Sequence, residues 1–574
     1  MSIRLRLGTS NAALDAAFEP LVARVLAHRG ITEPSQVDYQ LKQLLSYHQL
    51  KGIDAAVTLL VQALESQEHI MIVGDFDCDG ATSTSLAMLA LTAMGAQNVS
   101  YLVPNRFDFG YGLSPALVDY AQASKPDLIV TVDNGIASHA GVARAHELGI
   151  KVLVTDHHLA ADTLPAAEAI VNPNQPGCEF PFKSTAGVGV IFYVMSALRR
   201  QLQSQGWFEK EQIKPPNMGQ YLDLVALGTV ADLVPMEHNN RILVAQGMAR
   251  IRHGKARPGL LALLQVAKRQ LHNLQASDLG FSVGPRLNAA GRLDDMSLGI
   301  ECLLTDNTQI ASQLAQELDE LNAQRRNIES DMQQQAANIL AQIDANQEQS
   351  MPKCVCLYHP DWHQGVVGIV ASRIKEKWHR PALVFAQGDD DTLKGSCRSI
   401  AGFHLRDALA AVDAMHPELI IKFGGHAMAA GLSIKAANLE AFERALNEYA
   451  QEHLPDALLA QEWRSDGELA AHELQISQAF ALQQAGPWGQ GFEEPAFHGR
   501  FMLVQQRIVG EKHLKLVLAH AQTGELIDAI CFNVDLEVWP NSCEQADLVY
   551  RLDVNEFRGR QSLQLMVQHL EPVV

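Results

Sequence analysis

The chain contains no Cys-x-x-Cys pair, no apolar run long enough to cross a bilayer, and too few basic residues to balance its acids. Each shortage excludes something. Its 8 cysteines are scattered over 574 residues, which argues against both a zinc ribbon and a disulfide framework. Cys354 and Cys356 share one face of a strand-like run and read as small core residues. The amino terminus, Met1-Ser2-Ile3-Arg4-Leu5-Arg6, lacks the apolar stretch of a signal peptide. The apolar segment Val188–Leu198 is too short to span a bilayer and ends in Arg199-Arg200, so a cytoplasmic location without membrane contact is expected. With 45 Lys and Arg against 65 Asp and Glu, the net charge is −20. Composition alone would set that against a nucleic-acid partner, because phosphate binding leaves a basic footprint.

What is present is an ordinary folded composition, 47% hydrophobic and 19% charged. The length predicts three to four domains at roughly 150 residues each. The informative feature is a set of acid and histidine clusters: Asp75-Phe76-Asp77-Cys78-Asp79, Asp133, Asp156-His157-His158 and Asp232. Three of these follow short apolar runs, His69–Val73, Leu128–Val132 and Val152–Val154, with helical stretches such as Ser83–Met94 and His139–Leu148 between them. That alternation predicts βαβ units and a parallel sheet, whose carboxyl edge would collect all three clusters. A helix over Tyr221–Val234 would deliver Asp232.

Carboxylates gathered in this way repel one another unless cations neutralise them. A mixed Asp and His set suits Mg²⁺ or Mn²⁺ better than zinc, and the pattern reads as a two-metal phosphoryl-transfer site. Two blander readings compete. Asp-x-Asp-x-Asp-Gly also opens an EF-hand calcium loop, but the twelfth position, which needs a bidentate Glu, is Leu86, and a strand precedes where a helix is required. A single strand-terminal Asp could simply cap the following helix; the whole set is not explained so. Ligand carboxylates also inflate the negative charge, and an enzyme that threads one strand needs basic residues only along its channel.

The remaining organisation follows composition. Residues 1–50 read as an amino-terminal extension, 51–300 as the catalytic α/β domain and 301–350 as a connecting helix. Apolar positions Leu314, Leu318, Leu321, Ile328, Met332, Ile339 and Ile343 repeat near every 3.5 residues, and the helix would extend on the order of 60 Å. A dimeric coiled coil is the rival to a spacer between lobes, and Arg325 interrupts its seam. Residues 351–455 alternate strand and helix as a second α/β domain, in which Gly424-Gly425-His426 reads as a turn entering a helix. Residues 460–574 hold five strand-like runs, Phe501–Gln506, Leu514–His520, Leu526–Asn533, Leu548–Asn555 and Ser562–Leu570, expected to form a small barrel set apart from the metal clusters. There Phe557-Arg558-Gly559-Arg560 reads equally well as a base-stacking element or a plain turn.

These motifs resemble a known family. Val73–Thr82, Val132–Gly135, Thr155–His158 and Gly228–Asp232 look like the four motifs of the DHH phosphoesterase superfamily. With Tyr358–Gly368, Phe423–Gly431 and Gly284–Arg292, nearly the whole chain is similar to the RecJ family of single-strand-specific DNA exonucleases. The resemblance implies a DHH catalytic domain, a DHHA1-like substrate-binding domain and an OB-fold. It implies 5′ to 3′ hydrolysis of single-stranded DNA to mononucleotides, in recombination and repair. It also implies two Mn²⁺ or Mg²⁺ ions held by Asp75, Asp77, Asp79, Asp133, His157 and Asp232, with Asp133 as the bridge, His158 near the scissile phosphate and Asp156 orienting its neighbours. Arg106, Arg286, Asn288, Ser396, Arg398, Gly424, Gly425 and His426 are carried over as substrate-binding, the Arg and Ser residues as a grip on a 5′ phosphate. A monomer is expected, with a single-strand binding protein and recombination helicases as partners. Cys78 stands where Ala is usual, Cys397 where Gly is common, and Phe109 where an acid is usual, which puts one substrate contact in question. The rivals are a DHH phosphodiesterase acting on oligoribonucleotides, cyclic dinucleotides or pyrophosphate, and a non-catalytic DNA-binding scaffold.

Overall fold

The structure, a computed structural model, describes residues 2–104, 109, 112–345 and 351–573. They divide into two compact units, one formed by Ile3–Asp319 with Trp463–Val574, the other by Glu320–Glu462. Among the described residues no helix is long and apolar enough to cross a membrane.

The first unit contains a five-stranded sheet of β1 (Ile70–Gly74), β2 (Val99–Leu102), β3 (Leu128–Val132), β4 (Lys151–Thr155) and β5 (Ala169–Val171). The order is β2-β1-β3-β4-β5 and every pair is parallel. β1 and β3 are buried at every position, as their almost wholly apolar sequences require of strands covered on both faces. Each Ile, Val or Leu so buried contributes about 1.5 to 3 kcal/mol. The chain leaves β1 for β2 on one side and returns to β3 on the other, so the strand order reverses between β1 and β3. The crevice beyond their carboxyl ends is where open parallel sheets hold ligands.

Helix Cys78–Ala93 follows β1 and is buried almost all round in its first half, including Thr82, Ser83, Thr84 and Ser85. The Thr82 and Ser85 hydroxyls bond the helix's own backbone, at the Cys78 and Ala81 carbonyls, and Ser83 Oγ donates to Asp79 Oδ1 at 3.4 Å. Phe109 packs against the apolar cluster around Leu117 and Val142, with its ring 5.6 Å from that of Tyr120, so a core contact accounts for it.

Helix Thr308–Ala345 is continuous over 38 residues. Arg325, which interrupts its apolar seam, pairs with Glu329 and bonds Asn322, and Glu329 also accepts from Arg373 at 3.1 Å. The second unit is built on β6 (Val355–Tyr358), β7 (Ala382–Gln387), β8 (Thr392–Arg398), β9 (Ile420–Gly425) and β10 (Ala429–Lys435), in the order β9-β10-β8-β7-β6. β6 and β7 are parallel and the other pairs antiparallel. Helices Leu405–Met415 and Leu439–His453 cover it through Leu409, Phe442 and Leu446.

All five expected barrel strands form, as β11 (Phe497–Val509), β12 (His513–His520), β13 (Leu526–Cys531), β14 (Gln545–Phe557) and β15 (Arg560–Pro572). They close in the order β11-β12-β13-β15-β14, with β13 and β15 parallel, an OB-type barrel. The barrel belongs to the same compact unit as the parallel sheet. The amino-terminal segment is one reason. Asp466 has a fully buried carboxylate that takes Arg29 through both oxygens, His28 Nδ1 at 2.9 Å and Arg6 Nη1 at 3.3 Å. Arg29 also donates to the Glu493 carbonyl at 2.8 and 3.0 Å, and the Met236 amide donates to the Gln490 carbonyl at 2.7 Å. These partners are hundreds of residues apart, so no local pattern announces them.

Candidate metal centre

The predicted acid and histidine residues converge at the strand-order reversal. Asp75, Asp77 and Asp79 follow β1, Asp133 follows β3, Asp156, His157 and His158 follow β4, and Asp232 ends helix Leu222–Ala231. Their ligand atoms fall into three groups, each within 4.8 Å: Asp75, Asp77 and Asp133; Asp133, His157 and His158; Asp79, His157 and Asp232. Asp133 joins the first two groups and His157 the last two.

Backbone geometry sets the aim of these side chains. Asp133 sits at φ +61, a conformation costly for a residue with a Cβ. Gly187 is packed so closely behind it that a Cβ there would lie 2.7 Å from Asp133 Oδ1. Asp77 caps helix Cys78–Ala93, its Oδ1 accepting from the amides of Asp79 and Gly80 at 2.9 and 3.1 Å. Asp79 is held in turn by the start of helix Gly187–Ser204, whose Gly187 and Val188 amides donate to its two oxygens at 2.7 and 2.9 Å. Asp156 takes the Ile136, His157 and His158 amides and His158 Nδ1, so it orients its neighbours. Asn134, Asn172 and Asn174 brace the crevice: Asn134 bonds the Val73 and Val132 carbonyls, Asn172 that of His158 and Asn174 that of His157. Sequence reasoning passed over these three, although Asn134 stands beside Asp133 in the motif.

The electrostatics calls for cations. Burial, then the neighbouring Asp77, pushes Asp79 up to about 7. Asp133 and Asp232 are raised well above the usual carboxylate range by burial and by the surrounding carboxylates. Burial holds His157 down at about 4, so its imidazole is neutral. His157 Nε2 is buried with no hydrogen-bond partner, 3.0 Å from Asp133 Oδ1, 3.5 Å from Asp232 Oδ2 and 4.0 Å from Asp79 Oδ2. A neutral ring nitrogen among three carboxylate oxygens is the donor set of a divalent ion such as Mn²⁺ or Mg²⁺. Burial would lower His158, but the bond to Asp156 outweighs it and raises that imidazole.

The residues carried over as substrate contacts divide between the units. Arg106 lies outside the described residues. Arg286 and Asn288 are on helix Gly284–Leu293 of the first unit, with Arg286 paired to Asp319 at 2.7 Å and donating to the Ser282 carbonyl. In the second unit Ser396 and Arg398 share a face of β8, with Arg398 Nη1 3.2 Å from Ser396 Oγ. Gly368, in the first turn of helix Val367–Trp378, approaches both closely: a Cβ there would lie 3.0 Å from Ser396 Oγ and 3.2 Å from Arg398 Nη2. Gly424, Gly425 and His426 are corrected in context. They form the β9–β10 hairpin, closed by the His426 amide on the Ala429 carbonyl at 2.8 Å, and do not enter a helix. Gly425 is at φ +136, where a Cβ would come within 2.5 Å of that same carbonyl oxygen.

A parallel sheet with ion-binding carboxylates at its switch point, followed by a second α/β unit and a closed barrel, defines a DHH-type protein. Residues 69–229 match the DHH family, N-terminal domain, 351–452 the DHHA1 domain and 465–569 the RecJ OB domain. The chain is 54% identical over 572 residues to the single-stranded-DNA-specific exonuclease RecJ of Salmonella typhimurium, covering 100% of this chain and 99% of that protein. It is 53% identical to the Escherichia coli protein of the same name, over 100% of this chain and 99% of that one. The fold matches RecJ in complex with Mn²⁺ from Thermus thermophilus, with TM-score 0.79 and 30% identity, covering 100% of this chain and 80% of that one. The chain belongs to the RecJ family.

Proposed function

We propose that the chain is a metal-dependent, single-strand-specific DNA exonuclease that works from 5′ to 3′, releases 5′-mononucleotides and serves recombination and repair. The observation that carries this reading is the convergence of the candidate ligands on one crevice, in a chain related to RecJ over its full length. Asp75, Asp77, Asp79, Asp133, His157 and Asp232 would hold two Mn²⁺ or Mg²⁺ ions, Asp133 between them. When bound, the ions supply Lewis-acid stabilisation to the attacking and departing oxygens of an in-line displacement.

The chain's own groups do the rest. Asp77 commits one oxygen to its helix cap and keeps the other for the crevice. With Nδ1 donating to the acceptor-only Asp156 carboxylate, Nε2 is the His158 nitrogen that would neutralise a phosphoryl oxygen or give a proton to the departing 3′ oxygen. Ser396 and Arg398 offer a hydroxyl and a half-buried guanidinium to a terminal 5′ phosphate, with Gly424, Gly425 and His426 on the far side of β10 in the same sheet. A cytoplasmic monomer working with a single-strand binding protein and recombination helicases belongs to the same proposal and rests on family resemblance.

The barrel and the intact ligand set weigh against a short-oligoribonucleotide phosphodiesterase and against a non-catalytic scaffold. The test compares single-stranded DNA, duplex DNA and short RNA, labelled at either end, with Mn²⁺, Mg²⁺ or chelator. Mononucleotide release from the 5′ end of single strands alone is expected. Release from the 3′ end, or turnover in chelator, would overturn the reading.

A further inference from the structure

The first backbone N–H groups of an α-helix have no partner inside the helix, and each needs an acceptor when buried. At the start of helix Cys78–Ala93 the account closes in an unusual way. The Asp77 carboxylate takes the Asp79 and Gly80 amides, and the Asp77 carbonyl takes that of Ala81 at 2.9 Å. The Cys78 amide, between two candidate metal ligands, is taken by Asn288 Oδ1 at 2.7 Å, from a residue 210 positions away. The same helix, Gly284–Leu293, meets the loop again one turn on: a Cβ at Gly291 would lie 1.9 Å from the Phe76 carbonyl oxygen. Asn288 and Gly291 are three residues apart and so share a helix face.

We infer that Asn288 is a positioning residue, which fixes the Phe76–Cys78 backbone and through it the Asp77 and Asp79 carboxylates, and that it is not a substrate contact. The residue type fits the task. An acceptor is needed beside carboxylates that already repel one another, and an amide supplies it without a further negative charge. Gly291 allows the helix to approach closely enough for that bond. Together they make helix Gly284–Leu293 a clamp on the ligand loop.

This inference rests on the metal-centre reading, and the experiment separates the two. Mn²⁺ binding is measured without DNA, by electron paramagnetic resonance, on the full-length protein, its Asn288→Leu, Asn288→Asp and Gly291→Ala variants, and an Asp133→Ala control. Wild type that binds no Mn²⁺ would sink the metal-centre reading itself. If wild type binds and Asp133→Ala does not, Asn288→Leu should weaken Mn²⁺ binding about tenfold to a hundredfold, as loss of a ligand-orienting partner does. kcat should fall with it while KM for single-stranded DNA stays within about twofold. Asn288→Asp, which keeps the acceptor but adds the charge that the amide avoids, should recover only part of the Mn²⁺ affinity lost in Asn288→Leu, and Gly291→Ala should reproduce the Asn288→Leu pattern. Should Asn288→Leu not fold, Asn288→Asp and Gly291→Ala carry the test. Unchanged Mn²⁺ affinity with a raised KM would make Asn288 a substrate contact, and unchanged affinity with only a lowered melting temperature would make it a structural residue; either result overturns the inference.

Discussion

Asp133 and Asp466 are both buried aspartates of the first unit, yet the protein treats them in opposite ways. Burial would raise Asp466, but Arg29, then Arg6 and His28, hold its carboxyl below the usual range. Asp133 is raised by the same burial and raised further by Asp79, Asp77, Asp232 and Asp75. One carboxylate has its cations built in and staples the amino terminus to the segment that leads into the barrel. The other is surrounded by its own kind, a costly arrangement that persists where ions from solution complete it.

The largest expected effect breaks the second case. Asp133→Ala should lower hydrolysis by on the order of a thousandfold, since several kcal/mol of charge stabilisation depend on the ions it holds, while single-strand binding survives. The comparison sharpens when stability is measured in chelator, where Asp133→Asn should stabilise the fold by on the order of 1 kcal/mol by relieving repulsion. Wild-type turnover by metal-saturated Asp133→Ala would remove the bridge from this account.

Asp466→Asn should move stability the other way, by about 3 to 5 kcal/mol, because it deprives the buried Arg29 guanidinium of its carboxylate. A denaturation midpoint equal to wild type would show the cluster to be inert. The acid side gives an independent check. Asp466 has a folded value below its unfolded one of about 3.9, so its contribution is complete above that pH and is lost as pH falls through the folded value. Denaturation midpoints measured from pH 6 down to pH 3 should therefore fall less steeply in Asp466→Asn than in wild type.

Arg398 presents the same comparison with the sign reversed. Burial lowers its guanidinium from the ordinary value, and among the described residues its hydrogen bonds go to the neutral Ser396 hydroxyl and Cys397 carbonyl. Arg398→Ala should slow degradation of 5′-phosphorylated strands roughly tenfold to a hundredfold and of unphosphorylated strands less, the loss of a charged contact of about 1.5 to 3 kcal/mol. Equal slowing on both ends would remove the phosphate from the assignment. The smallest effect is expected at Phe557, an exposed ring with the Arg558 guanidinium 5.2 Å from its centre, at a two-residue hairpin turn of β14 and β15. Phe557→Ala should weaken binding of long single strands by about 1 kcal/mol, measured by titration, and leave very short ones unchanged.

Local chemistry was legible in the sequence. Leu128–Val132 is the strand expected, because an unbroken β-branched run admits little else, and the Asp that follows each apolar run proved to be at the crevice. Long-range chemistry was not. The Asp466 staple joins Arg29 to a residue 437 positions away, and Asn288 reaches Cys78 across 210. Gly424-Gly425 looked like a helix entry because small residues follow, yet Ala429, Ala430 and Gly431 pair across β10 with β8. Tertiary pairing decided what local propensity left open.

The division into units also bears on how the chain comes to be folded. Glu320–Glu462 is one continuous stretch, so it has all its core in hand as soon as it has been synthesised. The first unit does not, for it spans Ile3–Asp319 and Trp463–Val574, and the Asp466 that Arg6 and Arg29 require is made after the whole second unit. The later-starting unit is therefore free to finish first, while the first unit spends that interval with its Asp466 staple unlatched.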